Sequence, residues 1–99
     1  VCLLFDDEID TGGSVVAAAR ALQSAGAIEV HACSTHGIFS GSIAQNFAVS
    51  DIKEIVTTDT VPIVSDRQPD KLRVLSVAPL LGEAIQRIHK GNSVGEMFA

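Results

Sequence analysis

Asp6, Asp7, Asp10, Thr11, Gly12, Gly13 and Ser14 fall within nine consecutive positions, after an apolar run from Val1 to Phe5 and before a helical pattern. Gly12 and Gly13 let the backbone approach a ligand and adopt positive φ. The N–H groups of such a turn point the same way as those of the next helix's first turn, and Thr11 and Ser14 add hydroxyl donors. These features suit a phosphate. Carboxylates next to a phosphate repel it, however, so something polar and neutral, or a bridging cation, has to lie between them. Paired carboxylates accept hydrogen bonds from the vicinal hydroxyls of a sugar and attract Mg2+ directly or through its waters. A sugar phosphate satisfies both halves, with hydroxyls at Asp6 and Asp7 and the phosphate at Asp10 to Ser14. The plain alternative is a solvated acidic turn before a capped helix, with Asp10, Thr11 or Ser14 as the cap. The residues alone leave both readings open.

The elements around this segment follow from periodicity. Val1 to Phe5 reads as a buried strand that stops where Asp6, Asp7 and Glu8 would carry charge into a core. From Ser14 to Ala25, Val15, Val16, Ala19 and Leu22 recur at helical spacing, and Gly26 follows as a stop. Ile28 to Cys33 is again strand-like, which gives a strand, helix, strand unit of the kind that builds a parallel sheet. Thr35 to Gly41 reads as a loop with two glycines, Ser42 to Ala48 as a short helix and Glu54 to Thr58 as a strand ended before Pro62. Ser65 to Lys71 is a polar surface loop and Leu72 to Val77 a fourth strand. Pro79 suits a first helical turn, and Leu80, Leu81, Ala84, Ile85 and Ile88 repeat at helical spacing up to Gly91, so this helix is expected to pack one face on the sheet. Asn92 to Ala99 is a tail. Alternating strands and helices make one α/β layer structure over residues 1–99.

Global composition narrows the function classes. The 99 residues carry 7 basic and 12 acidic side chains, a net charge of −5. That is the wrong sign for binding nucleic acid or an anionic membrane surface. Four of the 12 acids, Asp6, Asp7, Glu8 and Asp10, sit in one segment, and the remainder nearly balance the basic residues. A hydrophobic content of 46% with 19% charged residues implies a folded core. No apolar run is long enough for a membrane span, and no signal-peptide layout opens the chain. A start at Val1, inside an apolar run, suggests a piece of something longer. Cys2 and Cys33, without a CxxC or His/Cys cluster, read as buried free thiols suited to a reducing compartment. His31, His36 and His89 are expected to be structural, Arg87 and Lys90 to be helix-face charges, and Asp59 to cap the turn before Pro62.

The strand, acidic pair and Asp10-Thr11-Gly12-Gly13-Ser14 loop resemble the phosphoribosyl pyrophosphate motif of the type I phosphoribosyltransferase superfamily, with Ser14 where Thr is commonest. Thr35 to Gly41, Thr58 to Pro62, the Leu81 to His89 helix and the Ser93 to Phe98 ending further resemble the ribose-phosphate pyrophosphokinase family, in that order, over essentially the whole chain. The resemblance implies a parallel-sheet, phosphoribosyltransferase-like (Rossmann-like) fold. Because that family has two similar domains per subunit, it also implies an incomplete domain, the latter part of the C-terminal one.

The activity it implies is transfer of the pyrophosphoryl group of ATP to ribose 5-phosphate, with Mg2+, in a cytoplasmic homo-oligomer. Asp6 and Asp7 would hold the ribose hydroxyls and Asp10 to Ser14 the 5-phosphate. The adenine contacts, the mobile basic loop and a cation-binding His would come from outside these residues, so the chain alone is expected to be inactive. Ser93 and Val94 match a regulatory phosphate site at subunit contacts, although Gly95 replaces the usual second serine. Phe39 reads as a packing anchor rather than a ligand contact, and because this loop lies near subunit contacts in that family, Ile38 and Phe39 are expected at an interface rather than in the chemistry. Two other readings are a nucleobase phosphoribosyltransferase, which shares the Asp6 to Ser14 signature, and a non-catalytic subunit of the same fold. Such subunits tend to have eroded loops, whereas this one keeps its acids, glycines and hydroxyls.

Overall fold

A computed structural model describes residues 1–63 and 68–98. The expected loop from Ser65 to Lys71 lies partly outside them, as does Ala99 at the end of the tail. Four strands, β1 (Cys2–Ile9), β2 (Val30–Gly37), β3 (Glu54–Thr58) and β4 (Leu72–Leu75), form one parallel sheet in the order β1-β2-β3-β4. Helix α1 (Gly13–Ser24) joins β1 to β2, α2 (Ile43–Ala48) joins β2 to β3, and α3 (Ala78–Lys90) follows β4. A short 3-10 turn, Gly95–Phe98, closes the chain. This is the α/β, parallel-sheet class expected.

Leu4, Ala32, Ile55 and Leu72 stand in register across the four strands and mark the covered face. On it Val15, Val16 and Ala19 of α1 and Ile43 and Phe47 of α2 pack with Ile9, Val30, Ala32, Phe39, Ile52 and Ile55 as one core. The next row, Phe5, Cys33, Val56 and Arg73, belongs to the opposite face. That face is open: Phe5 is 76% exposed, and Phe5, Cys33, Val56 and Leu75 border a concavity of about 330 Å3. Parallel sheets are ordinarily covered on both faces, so this sheet has the form of an incomplete domain.

Four expectations need correction. Strand β1 does not stop at Phe5; it pairs Asp6 with Ser34, Glu8 with His36 and Ile9 with Gly37. A sheet ladder is made by the backbone, and the carboxylates stay in solvent while Ile9, buried, anchors the end of the strand. Strand β2 starts at Val30 rather than Ile28 and runs on through Gly37. Ala25 and Gly26, the latter at φ +108°, close α1, and Ile28 is still in solvent. Phe39 is not at a surface: it is 1% exposed, at φ +52°, with its ring against Gly37, and only Ile38 of that pair faces out.

The fourth correction concerns α3, which forms where its local signals put it, with Pro79 in the first turn and Gly91 at φ +74° as the stop. It buries no residue, and Ile85 and Ile88 are 67% and 68% exposed. The helix does not pack on the sheet. The chain measures 51 × 31 × 17 Å with a radius of gyration of 16.2 Å, against about 13 Å for a compact domain of 100 residues. Asp59 was expected to cap the turn before Pro62; instead its Oδ1 accepts the Val77 N–H at 2.8 Å, at the entry to α3. Arg87 is more than a face charge: it donates to Glu83, to Glu96 and to the Ser93 carbonyl, which holds the closing turn against α3.

Candidate functional site

The end of β1 and the start of α1 enclose a cleft of about 160 Å3 lined by Asp6, Glu8, Asp10, Thr11, Gly12, Gly13 and Ser14, with Ile9 and Val15 beneath. The fold therefore gathers the predicted loop residues, with Asp6, around one concavity at the carboxyl end of a parallel strand, where open α/β sheets bind ligands. Asp7 is next to it on β1 and not among the lining residues. Larger concavities lie elsewhere; one of about 390 Å3, between α2 and Gln68 to Lys71, is mostly apolar and away from the acidic segment.

Gly12 adopts φ +84°, the left-handed conformation, as the residue before α1. The first bond of α1 runs from Val16 N–H to the Gly12 carbonyl at 2.9 Å. Among the described residues no side chain caps this helix, and no acid stands in its first turn. The reading in which Asp10, Thr11 or Ser14 serves as cap is thus not what the loop adopts. The first-turn N–H groups have no partner within the helix and lie at the positive end of its dipole.

The carboxylates differ in their surroundings. Asp6 Oδ1 accepts the Asp7 N–H at 2.8 Å, and Asp7 Oδ1 accepts the Glu8 N–H at 2.9 Å. The neighbouring Asp6 side chain, which can donate to it only while itself protonated, then the Glu8 N–H and more weakly His36, hold the Asp7 carboxyl below the usual range. Asp10 accepts from the Ser40 hydroxyl. Beside them His36 Nδ1 bonds Thr60 Oγ1 at 2.6 Å, while the hydroxyls of Thr58 and Thr60 both donate to the Thr35 carbonyl.

Sequence reasoning missed the supports of the loop. Asn46 Nδ2 donates to the Thr11 carbonyl at 2.8 Å, and Ile43 and Phe47 press against Gly12. Gly37 and Gly41 signal a tight connection into α2, but no spacing rule says that this helix leans on the loop after β1. The other predicted site, Ser93 and Val94, lies in the closing segment. Arg87 holds the Ser93 carbonyl at 3.0 Å, and the Val94 carbonyl accepts the Met97 N–H at 3.1 Å.

The remaining histidines and thiols are placed as follows. His31 lies between Glu29 at 3.0 Å and Glu54 at 3.5 Å, and His89 is in the last turn of α3. Cys2 and Cys33 are free and half-buried, and burial, with Glu54, raises the Cys33 thiol. Among the described residues no three His, Cys, Asp or Glu side chains converge as a metal site. Exposed single carboxylates fit a hydrated Mg2+ shared with substrate oxygens, and do not fit an all-protein cage.

All 99 residues match the family described as phosphoribosyl synthetase-associated domain. The chain belongs to that family. It is 51% identical over 96 residues to a ribose-phosphate pyrophosphokinase of Caldanaerobacter subterraneus subsp. tengcongensis, which covers 97% of this chain and 30% of that protein. The enzyme of the same name from Clostridium acetobutylicum is 49% identical with the same coverage, and that from Listeria ivanovii is 45% identical over 99% of the chain and 31% of the relative. The crystal structure of phosphoribosylpyrophosphate synthetase from Mycobacterium smegmatis superposes with a TM-score of 0.87 at 38% identity, over 92% of this chain and 30% of that one. This phosphoribosyl synthetase-associated domain thus spans about 30% of the length of the relatives it matches. Among its described residues no helix is long and apolar enough to cross a membrane.

Proposed function

We propose that the cleft between β1 and α1 binds ribose 5-phosphate as the acceptor half of a cytoplasmic ribose-phosphate pyrophosphokinase, an oligomer in its full-length form, of which these residues are the C-terminal part. The observation that carries this reading is the uncapped start of α1, entered through a left-handed Gly12 and placed directly after a carboxylate-bearing strand end. The phosphate dianion would take the N–H groups of Gly12, Gly13 and Ser14 and the hydroxyls of Thr11 and Ser14. Asp6 and Asp7 are acceptor-only groups and would take the two ring hydroxyls. The neutral ring between them keeps the carboxylates and the phosphate apart.

In the reaction the anomeric hydroxyl oxygen bonds to the β-phosphorus of ATP and gives up its proton to water, the bond from that phosphorus to the α,β-bridging oxygen breaks, and AMP leaves with the electron pair. Residues Asp6 to Ser14 contribute orientation, fixing the acceptor at both ends so that only its anomeric side faces the donor. Mg2+, when bound, neutralises the triphosphate. The described residues near the cleft include no Lys or Arg, so the donor contacts belong to other parts of the full-length protein, and the 99 residues alone are expected to give no turnover. A regulatory phosphate at Ser93 and Val94 belongs to the same proposal, with one hydroxyl fewer because of Gly95. The test is AMP release from ATP with ribose 5-phosphate by the full-length protein, compared with its Asp6→Asn and Asp10→Ala variants. Unchanged rates in both would overturn the assignment.

A further inference from the structure

We propose that Asn46 is a positioning residue for the phosphate loop, locking the orientation of the Thr11 to Gly12 peptide so that the Gly12 N–H faces the cleft. This rests on the sugar-phosphate reading of that cleft. A trans peptide is planar, and its C=O and N–H point in opposite directions. Asn46 Nδ2 donates to the Thr11 oxygen at 2.8 Å, which turns that oxygen toward α2. The N–H of the same peptide unit, which belongs to Gly12, is thereby turned away from α2, on the side where Gly12 lines the cleft.

Two further observations give this bond a purpose. Among the described residues the Gly12 N–H donates to no protein acceptor, although Gly12 itself is buried. Glycine also lacks the Cβ that would oppose rotation of the peptide, so a loop with Gly12 and Gly13 in sequence flips easily unless something holds it. Helix α2 is a firm anchor for that purpose, because Ile43 and Phe47 on the same element are fully buried in the core. The Ser40 hydroxyl holds Asp10 on the other side of Thr11. The loop is therefore held in place before any ligand arrives, and a phosphate would meet a donor that is already aimed.

The test uses the full-length protein carrying Asn46→Asp, which keeps the shape but sets an oxygen against the Thr11 carbonyl, and Asn46→Leu, which removes the donor. Losing one hydrogen bond's worth of organisation raises the KM for ribose 5-phosphate about three- to tenfold. KM for ATP, kcat at saturation and the thermal midpoint stay unchanged. Ser14→Ala is run beside them as a direct probe of the phosphate site. A raised ribose 5-phosphate KM in Ser14→Ala with none in either Asn46 variant overturns the role of Asn46 and leaves the site standing. An unchanged KM in all three overturns the site as well. Parallel loss of both KM values, kcat and thermal midpoint would make Asn46 a general structural residue and also overturn the inference.

Discussion

A Cβ placed on Gly12 would stand 2.6 Å from Cε2 of Phe47, closer than real Cβ contacts come. Cδ1 of Ile43 would be 2.7 Å away, and the backbone there has φ +84°. Gly12→Ala therefore meets two separate penalties, a strained left-handed backbone and an overpacked contact, each roughly 1–3 kcal/mol. The expected loss is at least about 2 kcal/mol in urea unfolding. Gly13→Ala is the control, because its Cβ would meet only Thr11 Oγ1 at 3.8 Å. Equal stability of the two variants would show that α2 does not press on the loop.

A second glycine supports a different contact. The Cβ of an alanine at Gly37 would lie 2.8 Å from Cε2 of Phe39 and 3.2 Å from Thr57 Oγ1. Phe39 is, with Phe47, the largest fully buried side chain among the described residues, so Phe39→Ala should cost about 3–5 kcal/mol. Gly37→Ala should destabilise through the same ring. Combining the two should give less than the sum of the single losses, since removing the ring makes room for the new Cβ. Additive losses in denaturant titrations would contradict this packing.

The exposed face of α3 leads to an expectation opposite to the one its sequence gives. Ile85→Glu and Ile88→Glu should each change the unfolding free energy of the 99-residue chain by no more than about 0.5 kcal/mol. Ile55→Ala, at a fully buried position between Ala32 and Leu72, should cost about 2–5 kcal/mol. A loss of several kcal/mol at Ile85 would place α3 against the sheet after all.

What was legible in the sequence, and what was not, divides along the range of the forces. The glycine stops of α1 and α3 and the start of α3 were readable, because Gly26, Gly91 and Pro79 act on their own backbone, and so were the ends of β3. The gathering of Asp6 and Asp10 to Ser14 around one cleft was also readable, since these residues share one strand-to-helix turn. The extension of β1 through Asp6, Asp7 and Glu8 was not, because it depends on pairing with Ser34 to Gly37, far along the chain. The same holds for α3: an apolar stripe shows that a helix has a face to cover, and does not say that this sheet covers it. Asn46 was invisible for the related reason that its partner, Thr11, belongs to another element.

Asp7 gives an expectation about pH. Its carboxyl is held below the usual range, first by the adjoining Asp6 side chain, which can donate to it only while protonated, and then by the Glu8 N–H. A depressed pKa means that the ionised form is favoured in the fold. Whatever it contributes is present above the unfolded value of about 3.9 and is lost only as pH falls through the lower folded value. Asp7 should thus remain ionised across the neutral and mildly acidic range. Carboxyl-carbon NMR titration checks this, and an Asp7 midpoint at or above the unfolded value would contradict it.

The last expectation concerns a pair of hydroxyls inside the sheet. Ser34 Oγ donates to Thr57 Oγ1 at 3.1 Å, and both residues are buried on adjacent, in-register positions of β2 and β3. Thr57→Val removes the acceptor while keeping the shape, which leaves the Ser34 hydroxyl buried without a partner, at a cost of about 1–3 kcal/mol. Ser34→Ala removes the donor, and leaves the Thr57 hydroxyl short of one bond in the same way. In the double variant neither polar group remains, so the loss should be smaller than the sum of the two single losses by about 1 kcal/mol. A double-mutant cycle in urea measures that difference directly. A coupling of zero would mean that each hydroxyl is satisfied independently, by water reaching the sheet from its open face, and the covered face would then be less dry than its apolar lining indicates.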